Sequence, residues 1–275
     1  MSYYDSKNTK FAKIMSMVYC VLFFYRFFYK YFMFRPIISA IRKSDTAQEI
    51  YFNNEIGGYA WNPLNNEISV YENVLFYFID FSGNATSRFA VIRKLQVLFP
   101  DYTIIILDYP GFGLSYMLEM TVTNIVHKVV ETINCIIDGN EIKSIGFLAE
   151  KMGNYVARCV LSRKIKKQIK FFIEFNAISN IIEYQLSKYS LLALPFLLPC
   201  LVMKYPSRAN AIEKTVYLSN DEKFHEKSTL QRFILDTNSM DKKTVFHMEG
   251  NGLSSFLLPS NDSKLSKMTN FLFKE

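Results

Sequence analysis

The stretch TIIILDYPGFGLS, Thr103–Ser115, decides the fold. Its first five residues are an unbroken run of apolar and β-branched side chains, the pattern of a strand covered on both faces. Asp108 then ends the run, and Pro110, Gly111 and Gly113 force a tight loop where a strand cannot continue. Working outward, similar runs recur at Val74–Ile79 (VLFYFI), Ser144–Leu148 (SIGFL), Lys170–Phe175 (KFFIEF), Thr215–Leu218 (TVYL) and Thr244–His247 (TVFH). Stretches of helical period lie between them: Arg88–Leu98, Thr121–Ile137, Asn154–Arg163, Lys227–Leu235 and Lys264–Phe273. Within the second of these, Ile125, Val129, Ile133 and Ile136 form a core-packing stripe. Strand–helix alternation of this kind predicts an α/β domain with a mostly parallel, doubly wound sheet. Tyr51–Val70, with turn signals at Gly57-Gly58 and Asn65-Asn66, predicts an antiparallel edge ahead of the parallel part. Residues 178–206 are longer than one crossover helix needs, and Pro195 and Pro199 rule out a single straight helix there. A small helical cap over the sheet is expected over that span.

Composition narrows the class without naming a function. The chain has 275 residues, 50% hydrophobic and 16% aromatic, enough for a large core and too apolar for general disorder. The formal charge of +7 is spread along the chain, with one modest cluster over Arg163, Lys164, Lys166, Lys167 and Lys170 that reads as a solvated helix end. No zinc-finger, helix-turn-helix or RNA-binding signature accompanies it, so nucleic acid is set aside as a partner. Cys20, Cys135, Cys159 and Cys200 lie far apart among apolar neighbours, which reads as buried thiols rather than a disulfide framework. Three histidines without metal-ligand spacing give no metal site, and no cofactor is expected.

Five segments follow the strands in order. Ser82-Gly83-Asn84-Ala85 comes after the first parallel strand and Asp108–Ser115 after the next. Glu150-Lys151-Met152-Gly153-Asn154 follows the third, Asp221-Glu222 follows Thr215–Leu218, and Glu249–Leu253 follows the last. This series resembles the membrane-anchored α/β-hydrolase-domain serine hydrolases, relatives of lysophospholipases and protein depalmitoylases. Their corresponding segments read HGNA, DYRGYGxS, GxSxGG, a GxxDE-like acid turn and GxHN. The resemblance covers roughly residues 36–275.

It implies an α/β-hydrolase-like fold and a role for each segment. The loop at Ser82, Gly83 and Asn84, together with Met152, would supply oxyanion and pocket-lining groups, with Gly83 letting the main chain approach a substrate. The nucleophile elbow would fall at Lys151, flanked by Ala149 and Gly153, whose small size the turn requires. Lysine stands where the chemistry needs serine, and Gly252 stands where it needs histidine. Asp221 would keep the acid position, with Glu222 as its neighbouring alternative. An acid with no histidine to orient contributes little, because the triad works as a unit. Asp108 and Asp221 also read as ordinary turn or cap residues. His247 reads as a strand histidine too early for the base loop, and His127 as a helix-surface residue; His225 is the other conceivable replacement base.

From Ile14 to Phe34 the chain reads IMSMVYCVLFFYRFFYKYFMF. The charge-free part is too short to span a bilayer of roughly 30 Å, but the whole segment suffices if Arg26 and Lys30 snorkel. Aromatic crowding suits the membrane interface. A single N-terminal anchor or interfacial helix over 1–35 is therefore expected, ahead of the domain at 36–275. A helix packed on the domain and a cleaved signal peptide are the alternatives, the latter without a small-x-small site. Positive charges flank both sides, so topology and compartment are not legible.

These readings lead to a membrane-associated pseudoenzyme, a non-catalytic binding or scaffold protein with membrane lipid as partner and a small acyl or anionic ligand in its pocket. The rivals are an active lipid-type esterase or thioesterase with a non-standard site, and a structural membrane protein whose pocket its own side chains fill. Nothing in the sequence names a protein partner.

Overall fold

The computed structural model describes residues 2–34, 47–52, 55–62, 71–116, 121–188, 212–220, 223–236 and 242–274. An eight-stranded sheet runs in the order β1-β2-β4-β3-β5-β6-β7-β8. Its strands are β1 (Gln48–Phe52), β2 (Ile56–Trp61), β3 (Asn73–Phe78), β4 (Thr103–Leu107), β5 (Ser144–Glu150), β6 (Ile169–Phe175), β7 (Ile212–Ser219) and β8 (Lys242–His247). β1 pairs antiparallel with β2 and β2 antiparallel with β4, while every other pairing is parallel. The expected doubly wound sheet with an antiparallel edge is what forms.

Seven helices accompany it among the described residues: α1 (Ser2–Met33), α2 (Phe89–Leu98), α3 (Val122–Asp138), α4 (Met152–Leu161), α5 (Ile181–Lys188), α6 (Lys223–Leu235) and α7 (Asp262–Phe273). α3 starts where Thr121 caps it, its side chain accepting from the Asn124 N–H at 3.1 Å. Its stripe Ile125, Val129, Ile133 and Ile136 is buried against the sheet. β4 and β5 bury every residue but Ser144, as strands covered on both faces must.

Three expectations need correction. Gly57 and Gly58 form no turn; they lie inside β2, where Leu114 and the Ile106 carbonyl approach too closely for a side chain. Cys20 and Cys135 are exposed rather than buried, on α1 and on the outer face of α3, while Cys159 is half-buried. Helix α4 begins two residues before Asn154, directly at the elbow. Of the expected cap, α5 is described and residues 189–206 lie outside the described residues, as does Asn65-Asn66.

α1 is 32 residues long, and its side chains from Phe11 to Phe28 are exposed or half-exposed rather than laid on the sheet. Phe11–Tyr29 is long and apolar enough to cross a membrane, by length and composition. The helix meets the domain at its foot. Tyr29 packs on the core, and Phe34 is buried with its ring 5.0 Å from that of Phe81.

Candidate functional site

The site forms where β3 and β5 end side by side. The last residue of β5, Glu150, is followed by Lys151 at φ 47°, ψ −117°, a conformation L-residues rarely adopt. Such strain costs about 1–3 kcal/mol and persists only where its surroundings impose it. Here the surroundings do so. The Lys151 N–H donates to the Phe175 carbonyl at 3.1 Å, and the Lys151 carbonyl accepts from the Asn154 N–H at 3.1 Å. Asn154 Nδ2 also donates to the Phe175 carbonyl, at 3.0 Å. A Cβ on Gly153 would lie 2.2 Å from the Phe78 oxygen and 2.7 Å from that of Ile79, so only glycine lets α4 seat against β3. This is a nucleophile elbow in backbone geometry, with a half-buried lysine at its tip.

Below the tip, Glu150 is buried and fully engaged. It pairs with Arg88, accepts the Tyr77 hydroxyl at 3.0 Å and accepts the Asp80 N–H at 2.9 Å. Glu150 is thus committed to Arg88 and not to Lys151.

Beside the tip lies a residue the sequence reading did not single out. Asp80, immediately after β3, is 1% exposed. Its Oδ1 accepts from the Met152 N–H at 3.3 Å, and its Oδ2 accepts from the Ser82 hydroxyl at 2.5 Å and the Tyr184 hydroxyl at 3.2 Å. Lys188 Nζ approaches Oδ2 at 3.4 Å. Burial by itself would raise the carboxyl's pKa; Lys188, the Ser82 hydrogen bond, Lys151 and Arg88 more than offset it, holding Asp80 below the usual carboxylate range. Asp80 is therefore an anion placed at the N-terminus of α4, on the N–H that follows the elbow residue. Its one sequence signal was an acid closing an apolar strand run. Tyr184 and Lys188 sit on α5 and carried no signal beyond helical period.

The loop after β3 differs from expectation in detail. Ser82 spends its hydroxyl on Asp80. A Cβ on Gly83 would lie 2.3 Å from Arg88 Nη1, so the missing side chain makes room for Arg88 rather than for a substrate. Asn84 is buried and organises a 3-10 turn, accepting the Thr86 hydroxyl at 2.8 Å. Asp108 joins this loop to its own by accepting the N–H groups of Ala85 at 2.8 Å and Leu114 at 3.0 Å. Burial pushes its carboxyl up.

On the other side, Gly252 has φ +57° and faces open space, with nothing within 4 Å of where a Cβ would be. Asp221 and Glu222 lie outside the described residues. His247 is exposed, its Nδ1 3.2 Å from Ser219 Oγ, and His127 is a surface residue beside Glu131. His225, the other conceivable replacement base, is buried with its ring 5.9 Å from that of Tyr184.

The fold is that of the α/β-hydrolases. An esterase from the hyperthermophilic archaeon Pyrobaculum calidifontis superposes with a TM-score of 0.60 at 13% identity, covering 90% of this chain and 89% of its own. Esterase B from Lactobacillus rhamnosis gives 0.61 at 7% identity over 95% of both chains. An esterase of the bacterial hormone-sensitive lipase family gives 0.61 at 11% identity, covering 85% and 86%. No family model and no curated protein matches the sequence. At these identities the likeness extends to the fold and no further.

Proposed function

We propose that this chain is a membrane-associated protein that uses the α/β-hydrolase framework for binding or scaffolding rather than hydrolysis. The observation that carries this reading is the pairing of Lys151 at the elbow tip with Asp80 on the Met152 N–H. Acyl transfer needs an activated nucleophile there and a vacant donor for the developing oxyanion. An amine at the tip would give an amide that water does not turn over, and the Asp80 carboxylate both occupies the donor and repels a second negative charge. Gly252 has no side chain to act as base. Membrane lipid is the proposed partner, supported by the exposed span Phe11–Tyr29. The proposed ligand is a small acyl or anionic compound held away from the Met152 N–H, and it is supported by Lys151 and Lys188 together outnumbering the single Asp80 carboxylate.

Fluorophosphonate labelling reports a nucleophilic serine directly. The wild-type protein is expected to stay unlabelled. Stoichiometric labelling of any one serine would overturn the non-catalytic reading and promote an active esterase with an unrecognised nucleophile.

A further inference from the structure

The foot of α1 stands beside Asp80. Phe34 is 1% exposed and packs on Phe81, the residue between Asp80 and Ser82. Phe81 in turn meets Tyr109, just beyond β4, at 5.6 Å. The apolar span ends at Tyr29, five residues before Phe34, or roughly 7 Å along a helix axis. The helix is therefore tied to the C-terminal edge of the sheet, and the bilayer boundary falls within a few residues of Asp80. That edge also carries Tyr116, 69% exposed, in the loop after β4, and Leu257, 46% exposed, in the turn after Gly252. The solvent-reached Lys188 stands beside Asp80 at the same strand ends. Exposed aromatic and aliphatic side chains with a nearby cation suit a lipid interface.

Resting on the membrane reading above, we infer that α1 and the C-terminal edge of the sheet form one lipid-facing surface, so that the half-buried Lys151 and the partly exposed Lys188 face an anionic bilayer. The competing surface is the opposite edge, where the basic stretch Arg163–Lys170 lies. Two of its charges are already engaged, Lys166 with Asp138 and Lys167 with the Ile142 carbonyl.

The test uses the full chain with its four cysteines replaced by serine, reconstituted in phosphatidylcholine–phosphatidylserine vesicles. A single environment-sensitive NBD label is placed at Tyr116→Cys on the C-terminal edge or at Asp101→Cys on the opposite edge. Fluorescence at position 116 is expected to rise several-fold and shift to the blue on reconstitution, with position 101 unchanged. A response at 101 alone, at both sites equally, or at neither while the protein floats with the vesicles would overturn the inference and leave membrane association standing. Failure to float with vesicles would overturn both.

Discussion

Two clusters of buried charge sit against α4, and they are built differently. On one flank Arg158, with no solvent exposure, forks onto Glu174 of β6 and onto Asp236 at the end of α6. Tyr217 donates its hydroxyl to Asp236 at 2.6 Å, and Arg232 stands 3.8 Å away. Every charge there has a rigid, planar or short-stemmed partner, the arrangement for which a guanidinium is suited. At the N-terminus of α4, by contrast, Asp80 is held by hydroxyls, one backbone N–H and the long, partly solvated Lys188. The first cluster fastens helices to the sheet. The second is one anion held by hydroxyls, a backbone N–H and a single partly solvated lysine, beside a residue kept under backbone strain.

The sharpest way to break the comparison is to remove one cation from each cluster. Arg158→Met strips the guanidinium from the fully buried Glu174 and the part-buried Asp236, and a loss on the order of 3–5 kcal/mol is expected in urea unfolding. A loss under about 1 kcal/mol would remove the fastening role. The same cluster sets an acid limit. Burial tends to raise the Asp236 carboxyl, but Arg158 holds it well below the usual carboxylate range. A depressed folded-state pKa adds stability above the unfolded value, lost as pH falls towards the folded one. The wild-type denaturation midpoint is therefore expected to fall steeply from about pH 5 to about pH 3, and Asp236→Asn to flatten that fall.

A middle-sized effect of opposite sign is expected at the elbow. Lys151→Gly removes strain of about 1–3 kcal/mol and adds unfolded-chain entropy of about 0.5–1 kcal/mol, for a net gain near 1 kcal/mol. Thermal unfolding measures it, and a loss of stability would mean that the lysine's contacts outweigh the strain. The smallest effect belongs to Lys188→Met. Asp80 keeps three other donors and the lysine is partly solvated, so a loss of under about 1 kcal/mol is expected from the same urea titration. A loss as large as that of Arg158→Met would erase the distinction between the clusters.

Much of the framework was legible because its signals are local. Apolar runs such as Thr103–Leu107 can only be strands buried on two faces, and the small residues Ala149 and Gly153 around position 151 mark an elbow whatever stands at its tip. That Lys151 and Gly252 stand where the resembled family has serine and histidine is an expectation from residue identity, and the proposed loss of catalysis rests on it. Three-dimensional proximity was not legible. Asp80 lies 72 positions from Met152 and 108 from Lys188, and nothing in the strand that precedes it says that its carboxylate ends on the helix N-terminus. Gly57-Gly58 misled for the same reason: whether two glycines make a turn or admit Leu114 depends on which strands lie alongside. Local sequence pattern was enough for the sheet and for a tight strand-to-helix turn at residue 151. Tertiary packing alone put the Asp80 carboxylate on the Met152 N–H and Phe34, at the foot of α1, on Phe81, because both follow from strand ends that meet only when parallel pairing brings them together.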